Sequence, residues 1–329
     1  MLEYYSGFMR TEKHEIEEAL RSVSEDISSA LSGIPPEVFD FKRYPFSFLG
    51  KAARARFTLL AAAALGADRA RAEQAAAAGE LAHTASLLHD DCIDLARYRR
   101  GLPTLYDQLG VNGAILVGDL LIALAFDKAG RAAPDLQGEL VHAVRRMTEG
   151  ALIEENSKGK KVSAAEAERM TALKTGALFR WCALAACRLA GRADLLEACA
   201  RLGEEAGVAF QIVDDVLDFE GDSGACGKET LKDIKEGKFT LPLILALNDA
   251  QAGPKAERLM AALASGPAAD LGPATELAEL VSKGGFAAAA RRSAAEKIAA
   301  LFPLVDSLPE KEGARELRDF LTALGVRRS

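Results

Sequence analysis

The sequence predicts an all-helical protein, and three observations predict it. Apolar residues recur at the spacing of a helix face through eight segments. Convincing apolar/polar alternation, the mark of half-buried strands, is absent. No Gly/Ser linker or low-complexity tract splits the chain, so residues 1–329 are expected to form a single helical domain.

The periodic segments run in order along the chain. The first covers residues 11–32 and ends before "SGIPPEV", a proline-marked loop; outside it, the first 45 or so residues carry little signal. Segments 54–66 and 70–94 follow. Segments 112–131 and 135–157 come next, parted by the proline of "RAAPDL". The last three are 163–190, 192–219 and 228–249. Within them "CALAACRLAG" is apolar nearly all round, as expected of a central helix in a large bundle.

Composition removes several function classes. A net charge of −7 and a pI near 5.4 argue against nucleic-acid binding, which needs a basic stripe. Charged residues at 27% and hydrophobic ones at 49% are ordinary for a soluble globular protein. No uninterrupted apolar run reaches the roughly 18 residues of a membrane span, and none is expected. The start, "MLEYYSGFMRTEKHEIEEAL", has no basic stretch followed by an apolar one, so no signal peptide is read there. Five cysteines, odd in number and without a CxxC pair, read as reduced thiols in a cytoplasmic protein.

Two acidic clusters stand out on this apolar background. "LLHDDCIDLARYRRG" holds Asp90, Asp91 and Asp94; "FQIVDDVLDFEGD" holds Asp214, Asp215 and Asp218 in the same DDxxD spacing. The first and last aspartates of each project from one helical face. Two unit charges ~4 Å apart at an effective dielectric near 20 repel by about 4 kcal/mol. One such motif is as readily a solvated helix end; two, each after an apolar run, imply bound cations. Oxygen ligands favour a hard divalent ion, and Mg2+ takes a few carboxylates plus substrate phosphates. A Ca2+ loop does not fit, because neither stretch has its alternating ligands and central glycine.

Basic residues accompany both clusters: Arg99 and Arg100 after the first, Lys174 before the second, Lys228 and Lys238 after it. Singly, a lysine is more often a surface charge. Grouped about metal-type carboxylates, these residues point to a diphosphate site.

With "HTASLLHDDCIDLARYRRGLPT", "LVGDLL", "KTGALF", "FQIVDDVLD" and "EGKFTLPLI" in one order, the chain resembles the trans-prenyl diphosphate synthases, or polyprenyl synthetases, from about residue 45 to 245. The resemblance implies an all-α isoprenoid-synthase bundle around a deep central cavity, usually a homodimer. It implies head-to-tail condensation of isopentenyl diphosphate with an allylic diphosphate, releasing pyrophosphate. It also implies roles for particular residues. Asp90 and Asp94 would ligate two Mg2+ ions and Asp214 a third, supported by Asp91, Asp215 and Asp218. Arg99, Lys174 and Lys238 would hold the allylic diphosphate, with Lys228 and Gln211 nearby. Arg100 and His83 would bind isopentenyl diphosphate. Thr175, Gln211 and the carbonyl of Lys174 would face the developing allylic cation. Cys92 is then a spacer between aspartates, and His89 a structural neighbour of Asp90.

The chain departs from the family pattern in three places. In "FLGKAARARF", Arg54 and Arg56 align but Ala53 falls where lysine is expected; Lys51 is the substitute if the loop carries one extra residue. In "GKETLKD", Glu229 and Leu231 stand where Pro and Gly are common. After Glu149–Gly150, "ALIEE" replaces the commoner acidic and Gln positions.

Two other readings compete with chain elongation. A class I terpene cyclase or head-to-head synthase shares the fold, but cyclases commonly carry an Asn/Ser/Glu-type second motif. A non-catalytic subunit of a heteromeric synthase is expected to lose aspartates, and all six are present. For product length, Ser86, Ala85 and Ala82 precede Asp90 by four, five and eight residues on roughly one face. All are small, whereas short-chain family members often place an aromatic floor at one of the first two positions. A product of C20 or longer is expected.

Overall fold

A computed structural model describes residues 2–44, 50, 52–99, 101–220, 231–265 and 272–326. The chain is all-helical, as predicted. Its helices are α1 Leu2–Ser32, α2 Ala53–Leu65, α3 Arg69–Ile93, α4 Leu105–Ala132, α5 Pro134–Ser157, α6 Ala164–Thr171, α7 Ala177–Leu189, α8 Leu196–Glu220, α9 Lys232–Lys235, α10 Leu241–Asn248, α11 Gly253–Ser265, α12 Gly272–Lys283, α13 Phe286–Ala299, α14 Phe302–Asp306 and α15 Lys311–Val326. The only strands among the described residues, β1 Tyr98–Arg99 and β2 Leu102–Pro103, form a short antiparallel pair.

The chain gathers into two compact units. The first comprises residues 1–144, 178–203 and 304–317; the second comprises 145–177, 204–303 and 318–329.

In the first unit α3 lies along α4 and packs on α1 and α2. Small side chains permit this approach: Ala75 to Ala78, Ala82 and Ala85 are buried together with Leu81. Gly79 extends the stripe, since a Cβ there would already touch Trp181 and the Cys182 thiol at 3.4 Å. Trp181 is 1% exposed and donates its Nε1–H to the Leu136 carbonyl, satisfying the one polar atom it buries. Phe57 and Phe179 complete this core with ring centroids 5.5 Å apart. Each fully buried Phe or Leu contributes about 1.5–3 kcal/mol. The helix ends are capped locally: Asp68 accepts from the Arg71 N–H before α3, and Thr104 from the Asp107 N–H before α4.

In the second unit α10 packs on α6, α11 and α13. Leu243, Ile244 and Leu247 of α10 are buried, as are Ala287, Ala290, Ala294 and Ile298 of α13. A capping box of Ser163 and Glu166 opens α6.

The structure revises several expected boundaries. Segment 163–190 is not one regular helix: a π-helical turn, Ala172–Gly176, separates α6 from α7. Segment 228–249 is broken; α9 ends at Lys235, Gly237 turns the chain with φ +71°, and Pro242 lies in the first turn of α10. Five helices, α11 to α15, follow the last periodic segment read from sequence. One helix of the bundle nevertheless has the length and composition of a membrane span. Within α4, an 18-residue window has mean hydropathy 2.0 and is 28% buried, so by length and composition this helix is long and apolar enough to cross a membrane. The uninterrupted-run criterion missed it because single charged residues punctuate the stretch.

Candidate active site

Both acidic clusters lie at the C-terminal ends of long helices, and in each the middle aspartate is the buried one. In the first unit, α3 ends through Asp94, whose N–H donates to the Asp90 carbonyl at 2.8 Å, and Leu95 then adopts φ +51°. This turn starts the loop to β1. Asp91 is 2% exposed and accepts from both Nε and Nη2 of Arg99. Asp90 and Asp94 are half-buried.

His89, next to Asp90, packs on α4. Its Nε2 lies 3.3 Å from the Ile115 carbonyl and 3.5 Å from an Asp119 carboxylate oxygen. Gly118 of "LVGDLL" makes the room: a Cβ there would fall 2.3 Å from that nitrogen. His83 is half-buried, and its carbonyl accepts from the Ser86 hydroxyl at 2.7 Å. Ala82 and Ala85 are buried and Ser86 is half-buried. Arg54 is 8% exposed, with its guanidinium carbon 5.2 Å from the centroid of the Phe179 ring. Lys51, Arg100 and Lys228 lie outside the described residues.

In the second unit Asp214 is exposed, Asp218 half-buried and Asp215 only 7% exposed. Here the buried aspartate meets an amide instead of a guanidinium: Gln211 Nε2 donates to Asp215 Oδ1 at 2.9 Å. The Thr175 hydroxyl donates to Gln211 Oε1 at 2.8 Å. Thr175 and Lys174 sit in the π-helical turn, which alters the direction of side chains that a regular helix would place otherwise. Gly150 of α5 lets that turn come close, because a Cβ at Gly150 would stand 2.6 Å from the Lys174 nitrogen.

Lys174 is held by Glu154, with Nζ 2.5 Å from Oε2. Lys238 is held by Glu236 at 2.6 Å and stands 3.8 Å from Asp233. Asp233 ties this segment to the cluster, its N–H donating to Asp218 Oδ2 at 3.1 Å. These groups line a cavity of about 330 Å3 that includes Glu154, Lys174, Thr175, Gln211, Asp215, Asp233 and Lys238.

The carboxylates crowd one another. Burial, reinforced by Asp233, Asp214 and Glu154, pushes the Asp215 carboxyl well above its usual range, against the pull of Gln211. Burial and then Asp218 push Asp233 up to about 7, against the pull of Lys238. Such crowding is the electrostatic situation that a bound cation relieves. Among the described residues no three His, Cys, Asp or Glu side chains converge as a ready-made metal cage.

The structure therefore brings together Lys174, Thr175, Gln211, Asp215 and Lys238 in the second unit, and Asp91 with Arg99 in the first. Sequence reading missed Glu154 and Asp233. The unusual "ALIEE" was a signal for Glu154; Asp233, in "LKDIKEGK", looks like any helix-surface aspartate until the fold buries it. Phe219 (6% exposed) and Trp181 are core residues.

Comparison with known proteins finds relatives across most of the chain. The polyprenyl synthetase family profile matches residues 36–277. The chain is 38% identical over 275 residues to a geranylgeranyl diphosphate synthase of Mycobacterium tuberculosis, covering 79% of this chain and 76% of that one. It is 33% identical over 276 residues to a nonaprenyl diphosphate synthase of the same organism, covering 83% and 81%. The solved structure of a polyprenyl synthase from Caulobacter crescentus, complexed with calcium and isoprenyl diphosphate, superposes with TM-score 0.87 at 28% identity, covering 96% and 97%.

Proposed function

From the premise that this chain belongs to the polyprenyl synthetase family and is a prenyltransferase, we propose that it elongates an allylic diphosphate with isopentenyl diphosphate in a Mg2+-dependent reaction, giving a product of C20 or longer. The observation that carries this reading is the Thr175–Gln211–Asp215 chain of hydrogen bonds, in one cavity with Lys174 and Lys238.

The donor set fits the metal: Asp90, Asp94 and Asp214 would hold Mg2+, about three ions per site, with Asp91, Asp215 and Asp218 behind them. When bound, Mg2+ supplies the positive charge that stabilises a departing pyrophosphate. The protein's own residues do the rest. Lys174 and Lys238 grip phosphate oxygens, joined by Arg99 and Lys228, and stabilise leaving-group charge more than the intact ester. Thr175 donates its proton to Gln211, so that its oxygen lone pairs, together with the Lys174 carbonyl, would face an allylic cation. Arg54, His83, Arg100 and Lys51 serve isopentenyl diphosphate. Of these, Arg54 is the weakest fit, since its buried guanidinium packs on Phe179.

A homodimer is supported by α4, which leaves Val111, Ile115 and Leu116 exposed, the last at 68%. Sedimentation at micromolar concentration tests it: a monomer throughout would reject the dimer.

The function is tested by incubating the protein with Mg2+, isopentenyl diphosphate and a C5, C10 or C15 allylic primer, then weighing the products. Prenyl diphosphates longer than the primer are expected. A hydrocarbon or alcohol formed without consuming isopentenyl diphosphate would establish the cyclase instead, and turnover only with an added second chain would establish a heteromeric subunit.

A further inference from the structure

We propose that Lys158 is a further lysine of the allylic diphosphate site, carried to it by a glycine loop docked on the segment that bears Lys238. The inference rests on the function proposed above and adds a binding residue to it. Nothing in the sequence marks Lys158: "NSKGKK" reads as a solvated basic turn at the end of α5.

The fold gives that turn a specific seat. Gly159 donates its N–H to the Gly237 carbonyl at 3.0 Å. Both glycines have positive φ, +70° and +71°. A Cβ on Gly237 would stand 3.1 Å from the Gly159 nitrogen, a tight contact, whereas one on Gly159 would meet nothing; the close approach therefore rests on the glycine at 237. Gly237 immediately precedes Lys238, and Gly159 immediately follows Lys158. One backbone hydrogen bond thus sets the two lysines beside each other, and both line the 330 Å3 cavity with Lys174.

The neighbouring lysines are engaged elsewhere. Lys160 Nζ donates to the Asn156 carbonyl at 2.8 Å, and Lys161 pairs with Glu257 at 2.9 Å. Neither lines the cavity. Lys158 is 23% exposed and pairs with Glu155, three residues earlier on α5, whose side chain is 52% exposed. A pair with so solvated a partner is weak and screened. A multiply charged diphosphate is a stronger acceptor, and moving the ammonium from Glu155 to a phosphate oxygen forms the better charge-assisted hydrogen bond.

The test uses the full-length protein with Mg2+ and saturating isopentenyl diphosphate, titrating farnesyl diphosphate as the allylic probe. Lys158→Ala is expected to raise the allylic KM about tenfold, the loss of one charged hydrogen bond. The isopentenyl KM should stay unchanged, and inhibition by added pyrophosphate should weaken by a similar factor. Lys158→Arg should recover most of the loss, and Lys160→Ala should behave as the parent. Lys174→Ala separates the two readings. If it raises the allylic KM while Lys158→Ala does not, Lys158 is not a ligand and the site stands. If neither variant changes the allylic KM, both readings fail.

Discussion

Arg99 donates twice to a single oxygen of Asp91, from Nε at 2.9 Å and from Nη2 at 2.7 Å. The Asp91 side chain is 3% exposed and that of Arg99 34%, so the guanidinium plugs a buried carboxylate while keeping one side toward solvent. Arg99 thereby has two tasks, neutralising Asp91 and, as proposed, meeting a diphosphate. The pair divides them: the oxygen already committed holds the arginine in place, and the remaining N–H groups are aimed by that grip.

Removing one partner strands the other. Arg99→Ala should destabilise the protein by about 1–2 kcal/mol, less than the roughly 3–5 of a fully buried pair because Arg99 is partly solvated. In a double-mutant cycle with Asp91→Asn, measured by urea unfolding, a coupling energy near zero would show that the pair is not structural.

The aspartates proposed to face the metal, half-buried Asp90 and exposed Asp214, should separate chemistry from stability. Asp90→Ala and Asp214→Ala are expected to lower kcat by about three orders of magnitude, with Tm within a few degrees of the parent. These side chains carry charge and little core packing. Near-normal turnover in either variant removes that aspartate from the metal assignment.

Gly150 positions Lys174 by being absent as a side chain. Gly150→Ala forces a Cβ against the backbone of the π-helical turn, where the closest atom would be 2.6 Å away. Relief requires the turn to shift, at about 1–3 kcal/mol of overpacking. The expected signature is a raised allylic KM together with a lowered Tm. A variant with parental values of both would mean the turn yields freely.

Lys51 is proposed to replace the lysine missing from the isopentenyl loop. Lys51→Ala should raise KM for isopentenyl diphosphate well above any change for the allylic substrate. Should the isopentenyl KM hold constant, His83 and Arg100 suffice.

Product length is the least local property. An aromatic side chain at Ala85 is expected to shorten the product, but Ala85 is fully buried, so Ala85→Phe also brings overpacking of about 1–3 kcal/mol. Half-buried Ser86 offers a gentler site. Mass analysis of the products of Ser86→Phe should show a shift to shorter chains in a variant that retains its far-UV circular dichroism. Products as long as those of the parent would place the floor on another helix.

The helical class, the two DDxxD clusters and the lysines at Lys174 and Lys238 were legible in the sequence because they depend on local spacing. A helix repeats every 3.6 residues whatever surrounds it, so apolar periodicity and paired carboxylates can be read from a short window. The breaks were less legible. The π-helical turn at Ala172–Gly176 lies in a stretch that the apolar pattern reads as regular helix; its close approaches, Gly150 to Lys174 and Gly176 to Glu204, are tertiary contacts. Gly237 belonged to a periodic segment until its positive φ ended the pattern.

Tertiary structure alone decided which groups became partners. Thr175 meets Gln211 across 36 residues and Lys174 meets Glu154 across 20. Asp233 reaches Asp218 across 15, and Gly159 meets Gly237 by a backbone hydrogen bond between separate loops. The choice of which aspartate in each cluster is buried has the same origin. Asp90 and Asp91 are adjacent in sequence and chemically identical, as are Asp214 and Asp215. The rotation of α3 and α8 against their neighbours turns one of each pair inward and leaves the other nearer solvent; Arg99 then closes over Asp91 from the loop after α3, while Asp215 accepts from Gln211 one turn earlier on its own helix. That rotation is set by the summed packing of many side chains far apart in the chain, which no local window contains.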